Sequence, residues 1–164
     1  MILIGFMGSG KSTVAHTLSD KMNLPVIDLD KEVVRMAGME IREIFETEGE
    51  AGFRRREFEA LDQVGDSECI VATGGGVVTY APSRRLLQNM DVPVVYLHAD
   101  FDTLYTRIKD DSNRPLVRSR EQVNALYEQR LHIYRSAADH EIDCSASVEA
   151  VVSKLLAISQ IRRV

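Results

Sequence analysis

One segment, Gly5-Phe6-Met7-Gly8-Ser9-Gly10-Lys11-Ser12-Thr13, limits what this chain can fold into more than any other. Before it stands a wholly apolar run, Met1–Ile4, and after it a helical pattern in which Val14, Ala15, Leu18 and Met22 share one face. Gly5, Gly10, Lys11 and Ser12 satisfy GxxxxGK[ST] in a strand–loop–helix context, where the glycines let successive backbone N–H groups turn inward around phosphates. The start of the helix adds partial positive charge. Gly8, Ser9, Gly10, Lys11, Ser12 and Thr13 are therefore candidate nucleotide-phosphate ligands. Lys11 would reach the β- and γ-phosphates of ATP, and the Ser12 hydroxyl would hold Mg²⁺. The alternative is a glycine-rich turn arising by chance, which average residue frequencies place on the order of 1% for a chain of this length.

The rest of the chain repeats the alternation. Pro25-Val26-Ile27 reads as a strand ending at Asp28-Leu29-Asp30, and residues 31–64 are mostly helical with breaks at Gly38, Gly49 and Gly52. Cys69–Thr73 is a buried-strand pattern closed by Gly74-Gly75-Gly76. A helix is expected at Ser83–Asn89, a strand at Val92–His98 and a helix at Phe101–Lys109. Asp110–Arg118 reads as a polar loop, Glu121–Tyr134 as a helix, Glu141–Cys144 as a short strand and Val148–Ile158 as a closing helix. Short apolar strands alternating with helices predict an α/β fold, a parallel sheet covered on both faces, with ligands beyond the carboxyl ends of the strands. The whole chain, 1–164, reads as a single domain, because no linker, repeat or low-complexity tract divides it.

Composition narrows the partners. With 45% apolar and 27% charged residues the chain has the balance of a globular protein, and a net charge of -5 argues against a general nucleic-acid binder. No apolar run approaches the ~20 residues that span a bilayer, and the N-terminus carries no signal-peptide pattern, so a cytoplasmic protein without membrane contact is expected. Cys69 and Cys144 form no disulfide framework, and His16, His98, His132 and His140 lack metal-ligand spacing.

Several downstream residues admit two readings. Asp28 and Asp30 follow the second strand. One carboxylate could support Mg²⁺ through water while the other accepts a hydroxyl proton, or Asp30 could simply cap the next helix. Arg54, in Phe53-Arg54-Arg55-Arg56-Glu57, could clamp a carboxylate beside an aromatic ring, although such a run must also contain solvated members. Gly74–Gly76 permit close approach to a backbone wall, or form a flexible turn. Arg114, in Arg114-Pro115-Leu116, could close over the γ-phosphate, and Arg130 and Tyr134 stand one helical turn apart.

Taken in order, GFMGSGKST, DLDKE, IFETEGEAGFRRRE, TGGGVV, RPL and EQRLHIYR resemble the shikimate kinase family across essentially the whole chain. The resemblance implies a three-layer α/β/α nucleoside monophosphate kinase-like fold with a five-stranded parallel sheet. It also implies a P-loop, a substrate-binding helical segment near residues 30–62 and a lid near 110–120. The implied reaction is transfer of the γ-phosphoryl of ATP, with Mg²⁺, to the 3-hydroxyl of shikimate in aromatic amino-acid precursor synthesis. Matched to this chain, Asp30 is the residue at the substrate hydroxyls and Asp28 the one near Mg²⁺. Arg54 and Arg130 hold the carboxylate, with Glu57 orienting the arginine. Phe45 and Phe53 are the apolar lining, and Gly74, Gly75 and Gly76 the ring-side wall. Arg107 lies near adenine and Arg114 is the lid arginine. A monomer is expected.

One departure stands out: Cys144-Ser145-Ala146-Ser147 lacks the basic residue that some members place against adenine. No acidic residue ends the CIVAT strand, which the resemblance implies is usual for the family, and Asp28 is the candidate substitute. The rival readings are a P-loop kinase for another acceptor, such as gluconate or a nucleotide, and a non-catalytic nucleotide-binding module. The latter would be expected to lose Lys11, Asp30 or Arg114, and all three are present.

Overall fold

β1 (Ile2–Ile4) is three residues of pure hydrocarbon side chain, all buried, and it occupies the centre of the sheet. Only a strand covered on both faces reads this way. The computed structural model describes residues 1–64, 67–109 and 119–161. After β1 come α1 (Lys11–Met22), β2 (Val26–Asp28), α2 (Leu29–Ala37), α3 (Ile41–Val64) and β3 (Ile70–Ala72). A 3₁₀ turn at Val77–Thr79 precedes α4 (Ala81–Gln88), β4 (Val94–His98), α5 (Phe101–Ile108), α6 (Arg120–Ala137), β5 (His140–Asp143) and α7 (Val148–Ile161).

The strands lie in the order β2-β3-β1-β4-β5, and every pairing is parallel. Leu3 is in register with Ala72 on one side and Val95 on the other. From β1 the chain steps outward to β2, then returns through β3 and crosses β1 to reach β4 and β5. Right-handed crossovers of opposite sense put their helices on opposite faces. So α1 covers one face, joined by α7, which packs against it. The helices of the later crossovers cover the other face, where α4 and α6 pack together. The result is the expected three-layer α/β/α arrangement. The order reverses beside β1, so the loop after β1 opens at the switch point where such sheets bind ligands.

Local chemistry sets the ends of the elements. Asn23 closes α1 in the left-handed conformation (φ 53°), and Gly38 closes α2. The Asp28 side chain accepts from the N–H groups of Asp30 (3.1 Å) and Lys31 (3.3 Å), so the helix cap is Asp28 and not Asp30. α4 begins two residues before the expected Ser83, because Pro82 fits a first helical turn, where its missing N–H costs nothing. Ser119 and Gln122 cap α6 reciprocally.

Of the breaks expected in the long helical stretch, Gly49 is real, with φ 69° and ψ -174° inside α3. Gly52 is not a break: it lies buried inside the helix, and its missing side chain makes room for Glu48. The 3₁₀ turn at Val77–Thr79 had no counterpart in the sequence reading.

Candidate active site

The glycine loop leaves β1 and reaches α1 with Gly8 at φ 82° and Gly10 at φ 81°, which ordinary residues adopt only with strain. Gly10 provides no side-chain cap for α1, and no acidic residue stands in its first turn. The opening N–H groups and the positive end of the helix dipole are thus left for an anion. Lys11 Nζ donates to the carbonyls of Gly5 (2.7 Å) and Phe6 (3.0 Å) and to Ser9 Oγ (3.2 Å), which holds the ammonium over the loop. A cavity of about 390 Å³ opens here, lined by Gly8, Gly10, Lys11, Ser12, Thr13, Asp30 and Arg107 and walled by Thr73, Gly74 and Gly75. Ser9 is buried beneath it.

Arg107, on α5, ties this loop to the far edge of the sheet. It donates to the Gly8 carbonyl (3.2 Å) and to the Cys144 carbonyl (3.0 Å). Beside it lies a second cavity of about 280 Å³, walled by Val14, Cys144, Ala146, Val148 and Val151. The segment that lacks a basic residue therefore supplies a largely apolar wall instead, with Arg107 as the cation at its edge. Burial pushes the Cys144 thiol up, so it stays neutral there.

A third cavity, about 450 Å³, adjoins the phosphate cavity, and Met7 lines both. Phe45, Glu50 and Arg54 from α3 face Gln122, Val123, Leu126 and Arg130 from α6 across it. Phe53 sits one layer back, buried, with its ring 4.8 Å from that of Phe45 and 5.2 Å from the Arg54 guanidinium carbon. Arg54 Nη1 donates to Glu57 Oε2 at 2.7 Å, and Nη2 lies 3.5 Å from Glu50. Arg130 Nη1 donates to the Gly75 carbonyl (3.2 Å), which the Tyr134 hydroxyl also approaches. The Nε atoms of Arg54 and Arg130 are buried and have no hydrogen-bond partner among the described residues.

Two of the three glycines make room for a neighbouring side chain. A Cβ on Gly74 would come within 2.8 Å of Glu57 Oε1 and 2.9 Å of Asp30 Oδ1. One on Gly75 would only touch the Met7 amide at an ordinary 3.4 Å, whereas one on Gly76 would overlap the Arg54 guanidinium. The run is therefore no flexible turn. It is the plane where α2, α3, α6 and the phosphate loop converge. Glu57 is fully buried at this junction. Burial, reinforced by Asp30 and only partly offset by Arg54 and Arg130, pushes its carboxyl up to about 7.

The structure brings together at adjoining cavities Lys11, Ser12, Asp30, Arg54, Arg107, Arg130, Phe45, Gly74 and Gly75, while Gly76 lines neither and lies against the Arg54 guanidinium. Asp28 stands at the end of β2, with Oδ1 committed to capping α2. Arg114 and most of the expected lid, residues 110–118, lie outside the described residues. Met7, Thr73, Gln122, Val123 and Leu126 line the cavities without having been singled out from sequence. Gln122, Val123, Leu126 and Arg130 follow helical spacing, so the Arg130 face could have been extended backward to find the others. Met7 falls at a position the phosphate-loop pattern leaves open, and no spacing marks it.

The arrangement sets the glycine loop beside a cavity lined by two arginines, Arg54 and Arg130, with the buried Glu57 carboxyl behind Arg54. The shikimate kinase family model matches residues 7–160. The chain is 43% identical to a shikimate kinase of Streptococcus suis, over 95% of this chain and 98% of that one. To a shikimate kinase of Enterococcus faecalis it is 36% identical, over 95% of each chain. A shikimate kinase from Acinetobacter baumannii, solved in complex with shikimate, superimposes with a TM-score of 0.88 at 33% identity, covering 99% of this chain and 93% of that one. By sequence and by fold, this chain belongs to the shikimate kinase family.

Proposed function

We propose that this protein transfers the γ-phosphoryl group of ATP to the 3-hydroxyl of shikimate, giving shikimate 3-phosphate and ADP. One observation carries the choice of acceptor. Two guanidinium groups line one cavity, each with a buried Nε lacking a partner among the described residues, next to the phosphate loop. A buried donor without an acceptor is costly, and a flat carboxylate with two acceptor oxygens relieves two such donors at once. Shikimate carries that carboxylate at one end of a small ring and hydroxyls at the other.

With its carboxylate between Arg54 and Arg130, the ring would rest against Met7 and Gly75. The hydroxyl end would reach the phosphate cavity, where Asp30 lies. The hydroxyl oxygen bonds to phosphorus while the bond from phosphorus to the β–γ bridging oxygen breaks, releasing ADP. The hydroxyl proton passes to a carboxylate oxygen of Asp30. Little base strength is needed in a loose transition state, so fixed orientation of the hydroxyl is the larger contribution of Asp30. Lys11 would exchange the Gly5 and Phe6 carbonyls for phosphate oxygens, and Arg114 would add charge over the γ-phosphate.

Mg²⁺ fits the oxygen donors present. It commonly arrives with the nucleotide, bound by one or two protein oxygens, phosphates and water, and does not need a cage of three carboxylates. None is found among the described residues. The Ser12 hydroxyl and, through water, Asp28 would hold it, and it would supply charge neutralisation on the phosphates. We read the protein as a cytoplasmic monomer that engages neither nucleic acid nor membrane. Among the described residues no helix is long and apolar enough to cross a bilayer.

Initial rates of ADP release, with shikimate compared against other hydroxy acids, sugars and nucleosides, test the assignment. Shikimate should give by far the highest kcat/KM. A larger value for gluconate or a nucleoside would replace it with another acceptor.

A further inference from the structure

Eight residues along an unbroken helix is a rise of about 12 Å, too far for two side chains to meet closely. Yet α3 contains two such contacts. On the cavity side, Phe45 meets Phe53 with ring centroids 4.8 Å apart. Away from it, Glu48 meets Arg56: Nε donates to Oε1 and Oε2 at 3.0 Å each, and Nη2 donates to Oε1 at 2.6 Å. Both contacts depend on the break at Gly49, which folds the first part of the helix back on the second. Gly52 makes the fold close, because any Cβ there would overlap the Glu48 side chain.

Residues 54 and 56 are separated by about 200° around a helix, so Arg54 faces the pocket while Arg56 turns away from it. Of the arginine run, Arg55 is the mostly solvated member, 3.5 Å from Glu48 and 59% exposed. Glu48 and Arg56 are more enclosed, at 22% and 28%. The acceptor cavity takes Phe45 from one side of the Gly49 break and Arg54 from the other. Its width therefore follows the angle at that glycine, which by itself permits many.

We propose that the Glu48–Arg56 pair is a clasp that sets the Gly49 angle and so positions Phe45 relative to Arg54 for the acceptor. This rests on the acceptor-pocket reading given above. Both are positioning residues, since neither lines the cavity. Opening the clasp would separate Phe45 from Phe53 while leaving the Arg54–Glu57 pair and the phosphate loop in place. The effect belongs to acceptor binding and not to ATP.

Glu48→Ala and Arg56→Ala should each raise the shikimate KM roughly tenfold, the scale of one charge-assisted pair. The KM for ATP and kcat should change less than about twofold. The double exchange, Glu48→Arg with Arg56→Glu, should recover most of the loss. Amide hydrogen exchange reads the hinge without substrate: residues 41–48 should exchange faster in Glu48→Ala and return toward wild type in the exchanged pair. Unchanged shikimate KM and unchanged exchange in both single variants would overturn the clasp. So would a rise in both KM values that tracks Tm and is not rescued by the exchange. If wild type fails to phosphorylate shikimate, the acceptor reading falls while the exchange experiment still decides the clasp.

Discussion

Arg54 is held on one side and open on the other. Glu57 takes Nη1, while the buried Nε has no partner among the described residues, an arrangement suited to a ligand that arrives with its own acceptors. Hydrogen bonds to charged groups contribute about 1.5–3 kcal/mol, so Arg54→Ala and Arg130→Ala should each raise the shikimate KM by roughly 10- to 100-fold, with the KM for ATP nearly unchanged. Arg54→Lys should keep most of that loss, because an ammonium lacks the planar fork. Initial-rate kinetics decide it, and an unaltered shikimate KM would remove Arg54 from the pocket's function. Glu57 makes a second prediction. Its carboxyl sits near 7 when folded against an ordinary 4.5, so the folded state keeps a proton that the unfolded chain has released. This stabilisation is fully present below pH 4.5 and is lost as the pH rises toward 7. Unfolding midpoints across that window should fall less steeply with pH in Glu57→Gln, and an unchanged slope would show that Glu57 is not the responsible group. The Arg54–Glu57 pair was implied by the family resemblance, and the structure shows it as an i,i+3 contact. The approach of both Glu57 and Asp30 to Gly74 was not legible, because those residues come from separate helices and a turn that only the tertiary fold brings together.

At the scale of elements, the sequence was most readable where one principle acted alone. β1 and β4 follow from uninterrupted apolar runs, and α1 from its buried face of Val14, Ala15 and Leu18. Boundaries moved where two principles competed, as at α4, where Pro82 opens the helix and does not precede it. Gly49 and Gly52 looked alike in sequence and proved opposite, one bending the backbone and the other making room for a neighbour. Asp28 holds two assignments at once: it caps α2 in the structure, and it is proposed to meet Mg²⁺ through water. Asparagine caps as well as aspartate but carries no charge. Asp28→Asn should therefore keep Tm near wild type and raise the Mg²⁺ concentration needed for half-maximal rate. Asp28→Ala should do the same and also lose about 1 kcal/mol of stability. A Mg²⁺ titration of rate beside a thermal melt separates the roles, and unchanged Mg²⁺ dependence in both variants would leave Asp28 as a cap only. Gly76→Ala tests the glycine wall in the same way, since its methyl meets the Arg54 guanidinium and should weaken shikimate without touching ATP.

The whole molecule is where sequence reading stopped short. Strands alternating with helices give parallel pairing, but the order β2-β3-β1-β4-β5 follows from which way each crossover turns, and no residue pattern records that. The order nevertheless explains why motifs scattered from residue 5 to residue 130 converge: each follows a strand, or lies on a helix packed beside the end of one, at the place where the sheet reverses. The cavity proposed for the acceptor is shared between α3 and α6, which are far apart in sequence, so a ligand there would join two separate parts of the fold. A ligand that binds only the folded state stabilises it by about 2.7 kcal/mol at a hundred times its Kd. For a chain of this size that corresponds to a Tm increase of roughly 5–11 °C. Shikimate alone should raise the melting temperature of wild type by that order, and Arg54→Ala or Arg130→Ala should remove about half or more of the shift at the same concentration. ATP with Mg²⁺ should shift all three proteins alike, because its cavity is lined by neither arginine. If the arginine variants keep the full shikimate shift, the carboxylate lies elsewhere and the acceptor pocket must be placed anew.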